Sequence, residues 1–113
     1  MRADQAARLQ RAPRAIIVLV SRTVIVLWVQ SGCPACHSFR PTFNRLAARY
    51  RGQVPVYVLD CNDPKNQELA DRCGVKATPK LCALRQPYGI CGVEGDVGEA
   101  EAERIFKVAY AYR

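Results

Sequence analysis

Residues 24–29 read Val-Ile-Val-Leu-Trp-Val, and three residues further on stands Cys33-Pro34-Ala35-Cys36. The dense β-branched and aromatic run predicts a buried strand. The stretch 37–50 that follows the cysteines has helical periodicity. Two thiols set between a strand and the first turn of a helix make a redox arrangement. Two intervening residues let the sulfurs reach bonding distance, and the free N–H groups of the helix end favour a thiolate on the first. Pro34 is tolerated at the helix start, where its missing N–H would have had no partner.

The rest of the chain fits around that unit as one domain spanning 1–113, with a basic N-terminal extension (1–14) and a core (15–113). Half of the residues are hydrophobic and 24% are charged, which excludes wholesale disorder. The net charge is +7 and the pI about 9.4, with thirteen Arg against four Lys. Such a charge bears on solubility and association rather than on fold. Arg45, Arg49 and Arg51 form one basic group and Arg8, Arg11 and Arg14 another, without interleaved aromatics or a binding motif. A solvated basic face is expected, not a nucleic-acid partner.

Arg2, Arg8, Arg11 and Arg14 precede an apolar run at 16–20 that resumes at 24–29, an outline similar to a signal anchor. Arg22 splits the run, and an arginine at the centre of a span costs roughly 2.5–3.5 kcal/mol even on the lenient scale. Neither half approaches the ~20 residues of a spanning helix, and no small-residue cleavage site follows. A soluble chain without a membrane span is expected.

Short helices are predicted at 4–11 and 65–73, and long ones from residue 33 or 34 to 51 and over 99–112. Pro41 should kink the first long helix and Gly52 should end it. Strands are predicted at 16–20, 24–29, 54–59, 81–85 and 90–93, the last two as a hairpin turning at 86–89.

With Trp28 before the motif, Cys33 and Cys36 at a helix start, Pro41 five residues after Cys36, and Gly74-Val75-Lys76-Ala77-Thr78-Pro79 later, the chain resembles the thioredoxin superfamily over about residues 23–112. The resemblance implies an α/β, thioredoxin-like three-layer fold, with a central mixed sheet of four to five strands flanked by helices. It implies a cis Pro79 beside the redox pair, with Thr78 presenting its backbone to a bound substrate chain. It also implies thiol–disulfide oxidoreductase chemistry on protein thiols and disulfides, with a redox partner protein and no cofactor. Cys33 would be the nucleophile and Cys36 the resolving thiol. Thioredoxins carry a buried acid where this chain has Leu27, and a tryptophan where it has Gly32. Loss of that acid predicts slower resolution by Cys36. His37 should point away from Cys33.

Cys61, Cys73, Cys82 and Cys91 are each expected as small buried hydrophobes. Resemblance to disulfide isomerases around the string Leu59-Asp60-Cys61 implies a structural disulfide between Cys61 and Cys73. Cys82 and Cys91 lie on the two hairpin strands as near neighbours. A metal site completing Cys33 and Cys36 with His37 is not expected, because the other cysteines are irregularly spaced. An even number of cysteines without a signal peptide suits a cytoplasmic or virion setting better than secretion. The alternative to an enzyme is a thioredoxin-fold structural component of a larger assembly such as a virion.

Overall fold

The computed structural model describes residues 23–85 and 88–113, so the predicted helix at 4–11, the strand at 16–20 and the turn residues 86–87 lie outside the described residues. In chain order the elements are β1 (Thr23–Val29), α1 (Pro34–Arg49), β2 (Val56–Asp60), a 3-10 turn (Pro64–Asn66), α2 (Gln67–Arg72), β3 (Lys80–Arg85), β4 (Tyr88–Glu94) and α3 (Glu99–Ala111). The described strands form one sheet in the order β2-β1-β3-β4. β1 runs parallel to β2 and antiparallel to β3, and β3 and β4 form the hairpin. This is a mixed sheet.

Alternation along β1 sends its side chains to two different cores. Ile25 and Leu27, with Leu81 and Ala83 of β3, meet Phe39, Phe43 and Leu46 of α1 and Ile105 and Phe106 of α3. Val24, Val26 and Trp28, with Cys82 and Leu84, meet Leu69, Ala70 and Cys73 at α2. Both faces of the sheet are therefore covered, and this is why β1 reads as an unbroken apolar run. The result is three layers, α1 and α3 on one side and α2 on the other.

Several boundaries moved, and β4 begins at Tyr88, inside the predicted turn at 86–89, because Tyr88 and Gly89 pair with Arg85 and Leu84. β2 begins at Val56 rather than 54, because Pro55 has no N–H to give and contributes only its carbonyl, which accepts from Ile25 N at 2.9 Å. The expected single helix at 65–73 is a 3-10 turn followed by a short α-helix. Asn66 is buried at the joint and donates its side-chain N–H to the Asp60 carbonyl at 3.0 Å. The long helix stops at Arg49, short of the predicted 51, and Gly52 takes a φ of +80° in the turn that follows. Pro41 lies within α1, which continues past it.

Arg45 and Arg49 do not form a free basic face. They reach from α1 to Glu99 and Glu103 of α3, with N···O distances of 2.9–3.2 Å. Tyr50 Oη donates to the other oxygen of Glu103 at 2.9 Å, and its ring stacks obliquely on Phe106. The pairs are half exposed, so they orient α1 on α3 more than they stabilise it.

Candidate active site

β1 ends at Val29, and the chain turns through Gln30, Ser31 and Gly32 into α1. Gly32 has a φ of +70°, a backbone region that penalises any side chain with a Cβ. Its presence in place of tryptophan is thus built into the turn. Cys33 is the N-cap of α1, extended at φ −107° and ψ 97°, and Pro34 opens the helix. A sulfur takes the capping role of an oxygen here. Cys36 N donates to Cys33 Sγ at 3.1 Å, so an otherwise unpaired helix N–H points at the sulfur.

Cys33 and Cys36 are joined as a disulfide, with their Cα atoms 5.2 Å apart. They differ in access: Cys33 is partly exposed, whereas Cys36 is only 7% exposed and packs behind it. The loop before β3 completes the site. Thr78 Oγ1 donates to Cys33 Sγ at 3.4 Å, and the Thr78 carbonyl lies 3.6 Å from the same sulfur, where a thiol could donate to it. The Thr78–Pro79 bond is cis, and Pro79 is buried. Cys33, Cys36, Thr78 and Pro79, far apart in sequence, are therefore one cluster. The sequence pointed to the backbone of Thr78 but missed its hydroxyl, for which a β-branched hydroxyl residue beside Pro79 was the available signal.

Leu27 forms the floor of the α1 side and is fully buried among apolar residues. His37 is exposed on α1. Among the described residues no three His, Cys, Asp or Glu side chains converge so as to hold a metal ion. Nor is any helix among them long and apolar enough to cross a membrane.

The remaining cysteines are free thiols. The bridge expected between Cys61 and Cys73 is not formed, because the two face different partners. Cys61 follows β2, its N–H bonded to Val29 O at 3.0 Å and its Sγ directed at Gln30 Oε1, 3.8 Å away. Its thiol titrates above its ordinary value through burial and then through the nearby Asp60 carboxylate. Cys73 instead lies with Cys82 in the apolar cluster around Trp28 and lines the same cavity. Cys82 lies opposite Gly92, not Cys91, so Cys91 is one residue out of step and packs against the other core. Burial raises the Cys91 thiol as well.

A strand leading into a dithiol-capped helix, with a cis-proline loop against the outer sulfur, defines the class. The thioredoxin family model matches residues 12–109, and the chain belongs to that family. A curated relative, a disulfide bond formation protein of Brevibacillus choshinensis, is 32% identical over 83 residues, covering 74% of this chain and 70% of that protein. Among solved structures, the germline-specific thioredoxin Deadhead of Drosophila melanogaster shares the fold with a TM-score of 0.68 at 20% identity, over 85% of this chain and 89% of that one. A chain solved for the thiol-resolving mechanism of yeast mitochondrial 1-Cys peroxiredoxin through the glutathione and thioredoxin systems gives 0.68 at 17% identity, covering 83% and 88%. The family and the joined Cys33–Cys36 pair make thiol–disulfide exchange the general chemistry of this fold.

Proposed function

We propose that this chain is a protein thiol–disulfide oxidoreductase in which Cys33 attacks and Cys36 resolves. The observation that carries the reading is the environment of Cys33 Sγ. It is the outer sulfur of the pair, and it receives hydrogen bonds from a helix N–H and from Thr78 Oγ1. Both donors favour the thiolate, which is the attacking species. In the reducing direction the Cys33 thiolate attacks one sulfur of a client disulfide and expels the other as a thiolate. Cys36 then attacks Cys33 Sγ, frees the client's second thiol and closes the Cys33–Cys36 disulfide. The oxidising direction is the same sequence reversed, with a client thiolate attacking the disulfide. Thr78 and Pro79 line the groove in which the client chain lies.

The apolar floor at Leu27 and the relative named for disulfide bond formation favour oxidation or isomerisation over deep reduction. A potential between about −270 mV and −120 mV, the range of family oxidoreductases, is expected. The decisive experiment is trapping with Cys36→Ala, which should accumulate mixed disulfides between Cys33 and client proteins identifiable by mass spectrometry. Recovery of no client, together with loss of no activity in Cys33→Ser, sinks the reading in favour of a structural component of an assembly. A glutathione-equilibrated potential at or below that of thioredoxin removes the oxidising preference.

A further inference from the structure

The sheet face away from α1 carries two thiols that the proposed reaction does not use. Cys73 is the C-cap of α2, and Cys82 lies within β3. Both belong to the apolar cluster around Trp28. Both also line one open cavity of about 350 Å³, walled by the end of α2 and the β3–β4 hairpin. Cys73, at 9% exposure, is the outer of the two, and Cys82, at 2%, stands behind it.

Several contacts fix this arrangement. Lys80 and Cys82 are two residues apart on β3 and point to the same face. A Cβ on Gly92 would come within 3.2 Å of both Cys82 Cβ and Lys80 Cε, so glycine there leaves the room these side chains occupy. Lys80 Nζ donates to the Gly74 carbonyl at 3.3 Å, tying the start of β3 to the residue after Cys73. The two thiols share one cluster and one cavity, and hydrogen bonding from Cys82 holds the Cys73 thiol below its ordinary value of 9.0. The same bond, aided by burial, drives the Cys82 thiol well above that value. Trp28 is fully buried, and its Nε1 makes no hydrogen bond of full geometry among the described residues. Its N–H and the Lys80 ammonium both favour negative charge on the sulfurs. The outer thiol is the one a small solute reaches through the cavity, and the inner one stands behind it.

We propose that Cys73 and Cys82 form a second dithiol, an oxidation site for small hydroperoxides that closes to a Cys73–Cys82 disulfide. The Cys73 thiolate attacks an oxygen of hydrogen peroxide, the S–O bond forms and the O–O bond breaks. The departing hydroxide takes a proton and leaves as water. Cys82 then gives up its proton, and its sulfur attacks the Cys73 sulfenic acid, expelling the second oxygen as water. The dithiol loses two electrons and peroxide becomes two waters, so no further reactant is needed. The bridge would staple both ends of the segment 73–82, which carries Thr78 and Pro79 to Cys33. Oxidation on one face of the sheet thereby fixes the groove on the other. That last consequence rests on the oxidoreductase reading; the bridge itself does not.

The test uses the full chain as a Cys33→Ser, Cys36→Ser variant, treated with hydrogen peroxide and mapped by mass spectrometry without reduction. A Cys73–Cys82 cross-linked peptide is expected. Adding Lys80→Met should slow its formation roughly threefold to fivefold, the worth of a partly solvated charge pair. Cys82→Ser should leave a sulfenic acid on Cys73 that dimedone captures. Cys73 and Cys82 remaining free while Cys61 or Cys91 is oxidised, or a Cys61–Cys73 bridge in their place, overturns the proposal. Peroxide treatment of the wild-type chain, with Cys33 and Cys36 already joined, gives the same readout if the serine variant does not fold. None of these readings involves Cys33 activity, so failure here is distinct from failure of the proposed function.

Discussion

Thr78→Val isolates one hydrogen bond of the active site. Valine keeps the volume and branching of threonine and removes only the hydroxyl that donates to Cys33 Sγ at 3.4 Å. A hydrogen bond to an ionised group contributes about 1.5–3 kcal/mol when fully formed. This one is partly solvated and its acceptor is a soft sulfur, so the lower bound applies. About 1.4 kcal/mol corresponds to one unit on the pH axis. The donor favours the charged form, so its loss penalises the thiolate and moves ionisation to higher pH. The other donor, Cys36 N at 3.1 Å, stays in place and limits the shift. The assay is alkylation of Cys33 by iodoacetamide in a Cys36→Ala background, from about pH 5 to about pH 10, followed by mass spectrometry of the Cys33 peptide. The pH of half-maximal rate should rise by about one unit in Thr78→Val, with the high-pH plateau retained. A profile that stays within about 0.2 unit of the parent, or moves downward, refutes the argument.

Three further outcomes follow from the fold. Phe106 is fully buried between Phe43 and Tyr50, so Phe106→Ala should cost about 3–5 kcal/mol and lower the thermal midpoint by well over 10 °C in circular dichroism. At Gly32 a Cβ meets nothing within 4 Å, so Gly32→Ala should cost only the backbone penalty, about 1–2 kcal/mol by denaturant titration. Hydrogen bonds from Arg45 and then Arg49 hold the Glu99 carboxyl below its ordinary 4.5, and one from Tyr50, with Arg49 after it, does the same for Glu103. A lowered carboxyl adds stability above its unfolded value and loses it as pH falls through the folded one. The midpoint gap between the parent and Glu99→Gln, Glu103→Gln should therefore be present at neutral pH and close as pH falls below 4.5.

Sequence reading succeeded where one local signal dictated the answer. The apolar run of β1 and the thiol-capped start of α1 each carry their structural role in the residues themselves, and the cis Thr78–Pro79 bond was what the family resemblance implied. It failed where a long-range partner decided the outcome. Arg45 and Arg49 look like a basic patch until Glu99 and Glu103 are folded against them. Cys61 and Cys73 flank one helical stretch in the chain, yet Cys61 turns to Gln30 and Cys73 packs in the cluster that holds Cys82. Strand register settles the hairpin cysteines, since a step of one residue sends Cys82 and Cys91 to opposite faces. The broken helix at Asn66 depends on a buried bond to Asp60 that no periodicity announces.

Leu27 sets how the active pair responds to acidity. An ionisable group buried beneath a dithiol couples its own proton to every electron pair exchanged above it, and the potential then bends with pH where that group titrates. Where the resemblance places that acid this chain has Leu27, fully buried among hydrocarbon side chains. The proton inventory of the couple is then that of its two sulfurs, and its potential should track pH along a line that breaks only where those sulfurs ionise. A dithiol mounted this way keeps a constant offset, below those breaks, from any dithiol couple that likewise has no group titrating there, and its driving force toward such a client is unchanged as the surrounding medium becomes more acidic.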